Sequence, residues 1–290
     1  MKFSYGIAMC DPAHYLPLAQ ATEAAGYDYI SVPDSLCYPQ QASSKYPYND
    51  DGSREFLESL PFIESLVAVT SMAAVTTNIR FITSVYKLAI RQVPSVAKQV
   101  QSIQAMSNNR FDFGIGISPW EEDFAVTGVP WAKRGKRFDE QIEIFRGLET
   151  GEYFGYQGEH HTMPANRMNP VTGTPTPIII GGHSEPALKR AARVGDGWIA
   201  AGGDIPEMKA YISRLNDLRD EYGTADKPFD IWGAGAAAFS QEGLEELADI
   251  GVTGVGIGFR DVYKGQPDAP LEEKIQQLQW YASEFINTED

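Results

Sequence analysis

The run Ile178-Ile179-Ile180-Gly181-Gly182-His183-Ser184 carries the strongest chemical signal in the chain. A buried strand ends there in two glycines and a serine, just where a helix begins. Free N–H groups at a helix N-terminus attract anions, paired glycines let a phosphate approach closely, and a Ser hydroxyl can add a hydrogen bond. A tight turn capped by Ser184 is the plain alternative. His183, beside the turn, is the one histidine placed near such chemistry, either on the phosphate or as a proton donor. Asp34 follows the apolar run Tyr27 to Val32. At the rim of a sheet or barrel its carboxylate could hydrogen-bond a ring N–H or act as a base, whereas capping or solvation is the ordinary role.

Other polar groups read more simply. Glu121, Glu122 and Asp123 follow Ser118-Pro119-Trp120 and suit the first turn of a helix. Arg134, Lys136 and Arg137 could reach a phosphate, but pairing with Asp139, Glu140 and Glu143 explains them more economically. The 2 cysteines, Cys10 and Cys37, make no CxxC and read as free thiols, and the 4 histidines make no metal-binding pair. No metal site is expected. Trp120, Trp131, Tyr86 and the aromatic residues of two long loops could wall a flat apolar ligand.

These residues need a scaffold that brings strand ends together. Eight short apolar runs alternate with amphipathic stretches: Phe3 to Met9, Tyr27 to Val32, Arg80 to Val85, Arg110 to Ile117, Pro177 to Ile180, Gly197 to Ala201, Phe229 to Ala234 and Gly254 to Gly258. Helices are expected over 13–25, 61–76, 94–106, 132–148, 185–194, 205–222, 241–249 and 271–286, with Pro94 and Pro186 in first turns and Gly26, Gly195 and Gly251 at ends. Eight strand–helix units predict an α/β fold, a (β/α)8 TIM barrel spanning 1–290 as a single domain, with a doubly wound open sheet as the alternative. Active sites in such barrels lie at the C-terminal ends of the strands. That rule selects Cys10-Asp11, Pro33-Asp34-Ser35, Tyr86-Lys87, Ser118-Pro119-Trp120, Gly181 to Ser184 and Ala201-Gly202. Two segments, 35–60 and 150–176, are too long for simple connections; the first reads as an irregular excursion and the second as a short hairpin or lid.

A formal net charge of −15 disfavours nucleic acid and anionic membranes and favours a small-molecule substrate. The N-terminus lacks a secretory apolar region, and no stretch approaches the ~18 residues of a membrane span, so a cytoplasmic protein is expected.

The order of these motifs resembles the bacterial luciferase-like monooxygenase superfamily, and within it the group that uses the deazaflavin F420. The likeness runs from Ala24-Ala25-Gly26-Tyr27-Asp28-Tyr29-Ile30-Ser31-Val32-Pro33-Asp34 through Pro94 to Val100, Ser107-Asn108-Asn109-Arg110-Phe111 and Gly114-Ile115-Gly116-Ile117. It continues in Gly128-Val129-Pro130-Trp131 with Arg134, Arg137, Phe138, Asp139 and Glu140. Its most specific part is Gly181 to Ser184 followed by Ala187 to Ala192 and Gly195-Asp196-Gly197-Trp198. The resemblance implies coenzyme F420, or alternatively FMN, lying across the barrel mouth. Its phosphate would sit at Gly181, Gly182, His183 and Ser184 and its ring near the ends of the second, third and fourth runs, at Asp34, Ser84, Val85, Gly116 and Ser118, with Ala201 as a further cofactor contact. It also implies that Ser84-Val85 can adopt a non-prolyl cis peptide behind a deazaflavin, and that Asp34 and His183 are the catalytic candidates.

One departure matters. F420-dependent alcohol and sugar-phosphate dehydrogenases carry a His after the rim acid, and this chain has Ser35. The resemblance therefore implies a reductase delivering hydride to an activated double bond, or an FMN-dependent monooxygenase, fed reduced cofactor by a separate reductase; homodimers are common in the family. Asp196 and Gly197 open the sixth run and read as structural. Two other readings are a cofactor-binding barrel without catalysis and an aldolase or isomerase for a phosphorylated metabolite. The latter wants an interior lysine, for which Lys87 is the sole nominee.

Overall fold

Alternation of apolar runs and amphipathic stretches closes into a ring of eight parallel strands. The computed structural model describes residues 1–42, 52 and 54–287. In chain order these form β1 (Lys2–Gly6), α1 (Tyr15–Ala24), β2 (Tyr29–Val32), α2 (Ser65–Ala73), β3 (Arg80–Thr83), α3 (Val93–Ser107), β4 (Phe111–Ile115), α4 (Glu121–Thr127), α5 (Arg134–Leu148), β5 (Phe154–Gln157), β6 (Thr162–Asn166), β7 (Ile178–Gly181), α6 (Glu185–Val194), β8 (Gly197–Ile199), α7 (Ile205–Glu221), β9 (Asp230–Ala234), α8 (Gln241–Asp249), β10 (Gly254–Ile257) and α9 (Leu271–Tyr281). Around the barrel the strand order is β1-β10-β9-β8-β7-β4-β3-β2, and β5 pairs with β6 as a separate antiparallel hairpin. This is a (β/α)8 barrel; closure excludes the open sheet.

Side chains alternate across each strand, because successive Cβ atoms point to opposite faces. Tyr29, Ile82, Ile179 and Trp232 fill the barrel interior, with Tyr29 edge-on to Trp232 at 4.9 Å. Their neighbours Phe81, Phe113, Ile178 and Ile180 belong to the larger core, where Phe113 of β4 meets Phe145 of α5 at 5.3 Å. The N-terminal end of the barrel is closed by polar pairs: Arg80 reaches Asp112 at 2.5 Å, the Tyr29 hydroxyl donates to the same carboxylate at 2.9 Å, and Lys2 pairs with Asp230 at 2.7 Å.

The expected runs over β1, β3, β4, β8 and β10 continue past the C-terminal end of the strand, whereas those over β2, β7 and β9 begin one or two residues before the strand does. Ile7 stays fully buried and its N–H still bonds Ser31, but the chain bends at Met9, whose φ is 52°. Apolar composition thus continues into the rim after the ladder stops. The second helix starts at Ser65 rather than 61, because the Glu64 carboxylate accepts the Val67 N–H and fixes the N-cap there. A short helix, α4, adds to the helices expected from the sequence, and Glu121, Glu122 and Asp123 form its first turn. The 150–176 segment contains the expected hairpin. In the 35–60 excursion one helical turn, Glu55–Leu57, is regular; residues 43–51 and 53, with Tyr46 and Tyr48, lie outside the described residues. No helix among the described residues is long and apolar enough to cross a membrane.

Candidate cofactor and substrate site at the barrel mouth

The turn from β7 to α6 is built as its sequence suggests, with one informative difference. Gly182 has φ 115°, a backbone region that L side chains rarely adopt, and a Cβ there would meet Ala187 at 3.2 Å. The Trp198 indole donates to the Gly182 carbonyl at 2.9 Å. Because the following peptide is planar and trans, the His183 N–H points away from the indole. Ser184 occupies the N-cap position, but its hydroxyl makes no capping bond, so the plain reading of a Ser-capped turn does not hold. Glu185 in the first turn is neutralised by Arg214 at 2.6 Å and Lys189 at 3.4 Å.

His183 is held rather than poised as an acid. Its Nε2 accepts the Ala201 N–H at 3.0 Å, and its ring stacks on Tyr211 at 4.8 Å. That bond places the proton of the neutral ring on Nδ1, and burial pushes the imidazole below its ordinary pKa. Ala201, named as a cofactor contact, has its own N–H committed to this link.

Across the mouth lies a low ledge. The Ser84–Val85 peptide is cis, at the position the resemblance implied. A Cβ on Gly116 would come within 2.7 Å of the Val85 side chain, and so would one on Gly181. Val85 therefore stands where β4 and β7 leave room for it, and no side chain rises from either glycine.

Asp34 is not a free rim acid. Its carboxylate receives Arg91 through both nitrogens at 2.7 and 2.8 Å and the Lys87 N–H at 2.8 Å; the Asp34 side chain is 0% exposed and that of Arg91 13%. The fork-to-fork pair satisfies both oxygens. The carboxylate thus joins the end of β2 to the loop after β3. Ser118 is likewise buried: its hydroxyl donates to Asp123 at 2.5 Å and accepts the Trp120 N–H at 3.1 Å. Asp123 also binds Lys87 at 2.7 Å, so it does more than complement a helix dipole, and Lys87 is a paired rim lysine. Lys87 and Arg54 both lie over the Trp120 ring, at 4.7 and 4.8 Å.

The cationic residues of α5 behave differently from expectation. Arg134 stacks on Trp131 at 3.5 Å, Arg137 donates to the Ala132 and Pro130 carbonyls, and Asp139 pairs with Arg190 of α6 at 2.8 Å. Glu140 accepts the backbone N–H groups of Glu159, His160 and His161. The helix thus ties down the hairpin turn instead of pairing along its own face. Asp196 and Gly197 are structural, as expected: Asp196 accepts the Ile178 N–H at 2.8 Å, and a Cβ on Gly197 would strike the Asp230 carbonyl at 2.5 Å.

On the side of the mouth formed by β1 and β10, an open groove of about 680 Å³ is lined by Met9, Asp11, Pro12, His14, Leu60 and Pro61, with Arg260, Asp268, Ala269 and Pro270 opposite. Behind it Lys274 of α9 reaches Asp268 at 2.7 Å and His14 Nδ1 at 2.9 Å, and Arg260 lies 3.6 Å from Asp268. Cys10 is buried nearby, and burial pushes its thiol up to about 11, so it stays protonated. Cys37 is exposed and both cysteines are free. None of Arg260, Asp268 and Lys274 stood out in the sequence. Extending the strand-end rule to the eighth run would have found Arg260, two residues beyond Gly258.

Comparison with known proteins places this geometry. The family model of the luciferase-like monooxygenases matches residues 5–284. An uncharacterized protein of Mycobacterium tuberculosis is 48% identical over 99% of each chain. An F420-dependent glucose-6-phosphate dehydrogenase of Nakamurella multipartita is 26% identical over 76% of this chain and 60% of its own. Among solved structures, the monooxygenase RslO1 of Streptomyces bottropensis superposes with a TM-score of 0.77 at 16% identity, covering 97% of this chain and 98% of the other. The F420-dependent tetrahydromethanopterin reductase of Methanopyrus kandleri superposes at 0.75 with 14% identity over 98% of each chain.

Proposed function

The chain belongs to the luciferase-like monooxygenase family, and from that premise we propose an oxidoreductase that moves hydride between F420 and a small organic substrate, as a reductase. The observation that carries this reading is the double position of Gly181. It abuts Val85 on the ledge and opens the turn into α6, so a flat ring on the ledge would have its phosphate end at that turn. The residues fit such a group: Gly182 lets the backbone approach closely, and the Ser184 hydroxyl, which makes no capping bond, adds a donor for a phosphate. When bound, the deazaflavin supplies the hydride chemistry. The chain's own residues orient it against Val85 and set its phosphate end.

Lys87, the nominee for an aldolase-type lysine, is tied to Asp123, which weighs against a phosphorylated-metabolite lyase. The M. kandleri and N. multipartita proteins supply the F420 in this reading. Asp34 no longer favours F420, because its oxygens are spent on Arg91. FMN-dependent monooxygenation is the second reading, supported by the family description and by that loss. In either case a separate reductase supplies reduced cofactor.

Fluorescence titration of the purified protein with F420 and with FMN tests the assignment. Micromolar or tighter binding of F420 alone is expected. Binding of FMN alone moves the reading to a monooxygenase, and binding of neither overturns both.

A further inference from the structure

We infer that the groove between β1 and β10 is a binding site for a neutral carbonyl compound whose oxygen is held by His14 Nε2. An ammonium group has donors and no acceptor, so the 2.9 Å contact from Lys274 requires His14 Nδ1 to accept. The neutral ring then carries its proton on Nε2. Lys274 also pairs with Asp268 at 2.7 Å, and a proton on Nδ1 would face its ammonium group directly. His14 lines the groove, and its Nε2 has no hydrogen-bond partner among the described residues.

The surroundings select a neutral ligand. Lys274 and Arg260 both pair with Asp268, and Asp11 adds a second carboxylate to the lining, so the groove offers no surplus positive charge to an anion. The Arg260 guanidinium already donates to the Met9 and Gln266 carbonyls. Pro12, Leu60, Pro61, Ala269 and Pro270 supply apolar wall, and about 680 Å³ suits a small organic molecule. In the ring order β1 lies three strands from β4 and four from β7, and β10 three from β7 and four from β4, so the groove lies across the mouth from Gly116 and Gly181 of the ledge. A compound in the groove would therefore face whatever lies on the ledge. Taking that compound as the substrate rests on the proposed function; the binding itself does not.

Histidine-selective ¹⁵N NMR of the full chain, without cofactor, reads the tautomer of His14 and its response to cyclohex-2-enone as a probe. The Nε2-protonated tautomer is expected, with an Nε2–H shift on adding the enone and none on adding cyclohexene. In His14→Leu the enone affinity should fall about three- to tenfold, the loss of one net hydrogen bond. A proton on Nδ1, or enone binding that leaves His14 unmoved, overturns the inference; both are read on the unsubstituted protein, so they stand even if His14→Leu fails to fold. Failure of both cofactor titrations with the enone response intact removes the proposed function alone. Cofactor binding with no response at His14 removes this site alone.

Discussion

Replacing Asp34 by asparagine keeps the side chain's shape but leaves the Arg91 guanidinium buried without an anion. Breaking a buried pair from one side costs about 3–5 kcal/mol, so urea unfolding of Asp34→Asn should show a loss of that order. A catalytic base would instead lower turnover with unfolding unchanged. His183 makes a second, pH-dependent prediction. Burial holds its folded pKa below the unfolded value, so the unfolded chain takes up the proton first as pH falls below about 6.5. The stability that neutral His183 contributes is present above that pH and is lost as pH falls through the folded pKa. Urea midpoints at pH 7.5 and 5.5 should differ more for the unsubstituted protein than for His183→Asn, and equal differences would remove the argument.

Between elements, the contact that positions the ledge is Val85 against Gly116, just past β4, and Gly181 of β7. Gly181→Ala would push a Cβ to 2.7 Å from Val85, and overpacking of that kind costs about 1–3 kcal/mol. Combining it with Val85→Ala should return most of that stability, a non-additivity that a double-mutant cycle measures. Additive losses would mean that the glycine serves some other purpose. The same level explains which elements could be read in advance. The turn into α6 was legible because glycine, serine and proline act within a few residues of themselves. The start of α2 was not, because Glu64 rather than a residue near Pro61 supplies the cap.

The whole molecule carries a formal charge of −15, and both F420 and FMN are anions. At low ionic strength the Debye length is about 30 Å, long enough for the total charge to repel an approaching cofactor; near 0.1 M it is about 10 Å. The association rate measured by stopped flow should therefore rise with salt, and a fall would show that cations at the mouth dominate the field. The amino-acid sequence by itself determined the barrel and the place of its mouth, because alternation of apolar runs with helical stretches and the punctuation of turns are local properties. It also determined the close backbone approach at Gly181 and Gly182. Tertiary structure alone decided what the charged residues do. Asp34 meets Arg91 57 residues away, Lys87 meets Asp123 36 residues away, and His14 meets Lys274 260 residues away. A carboxylate at a strand end looks the same in sequence whether it faces a ligand or a guanidinium. Only closure of the barrel, which brings distant rim loops within hydrogen-bond reach, decides between them.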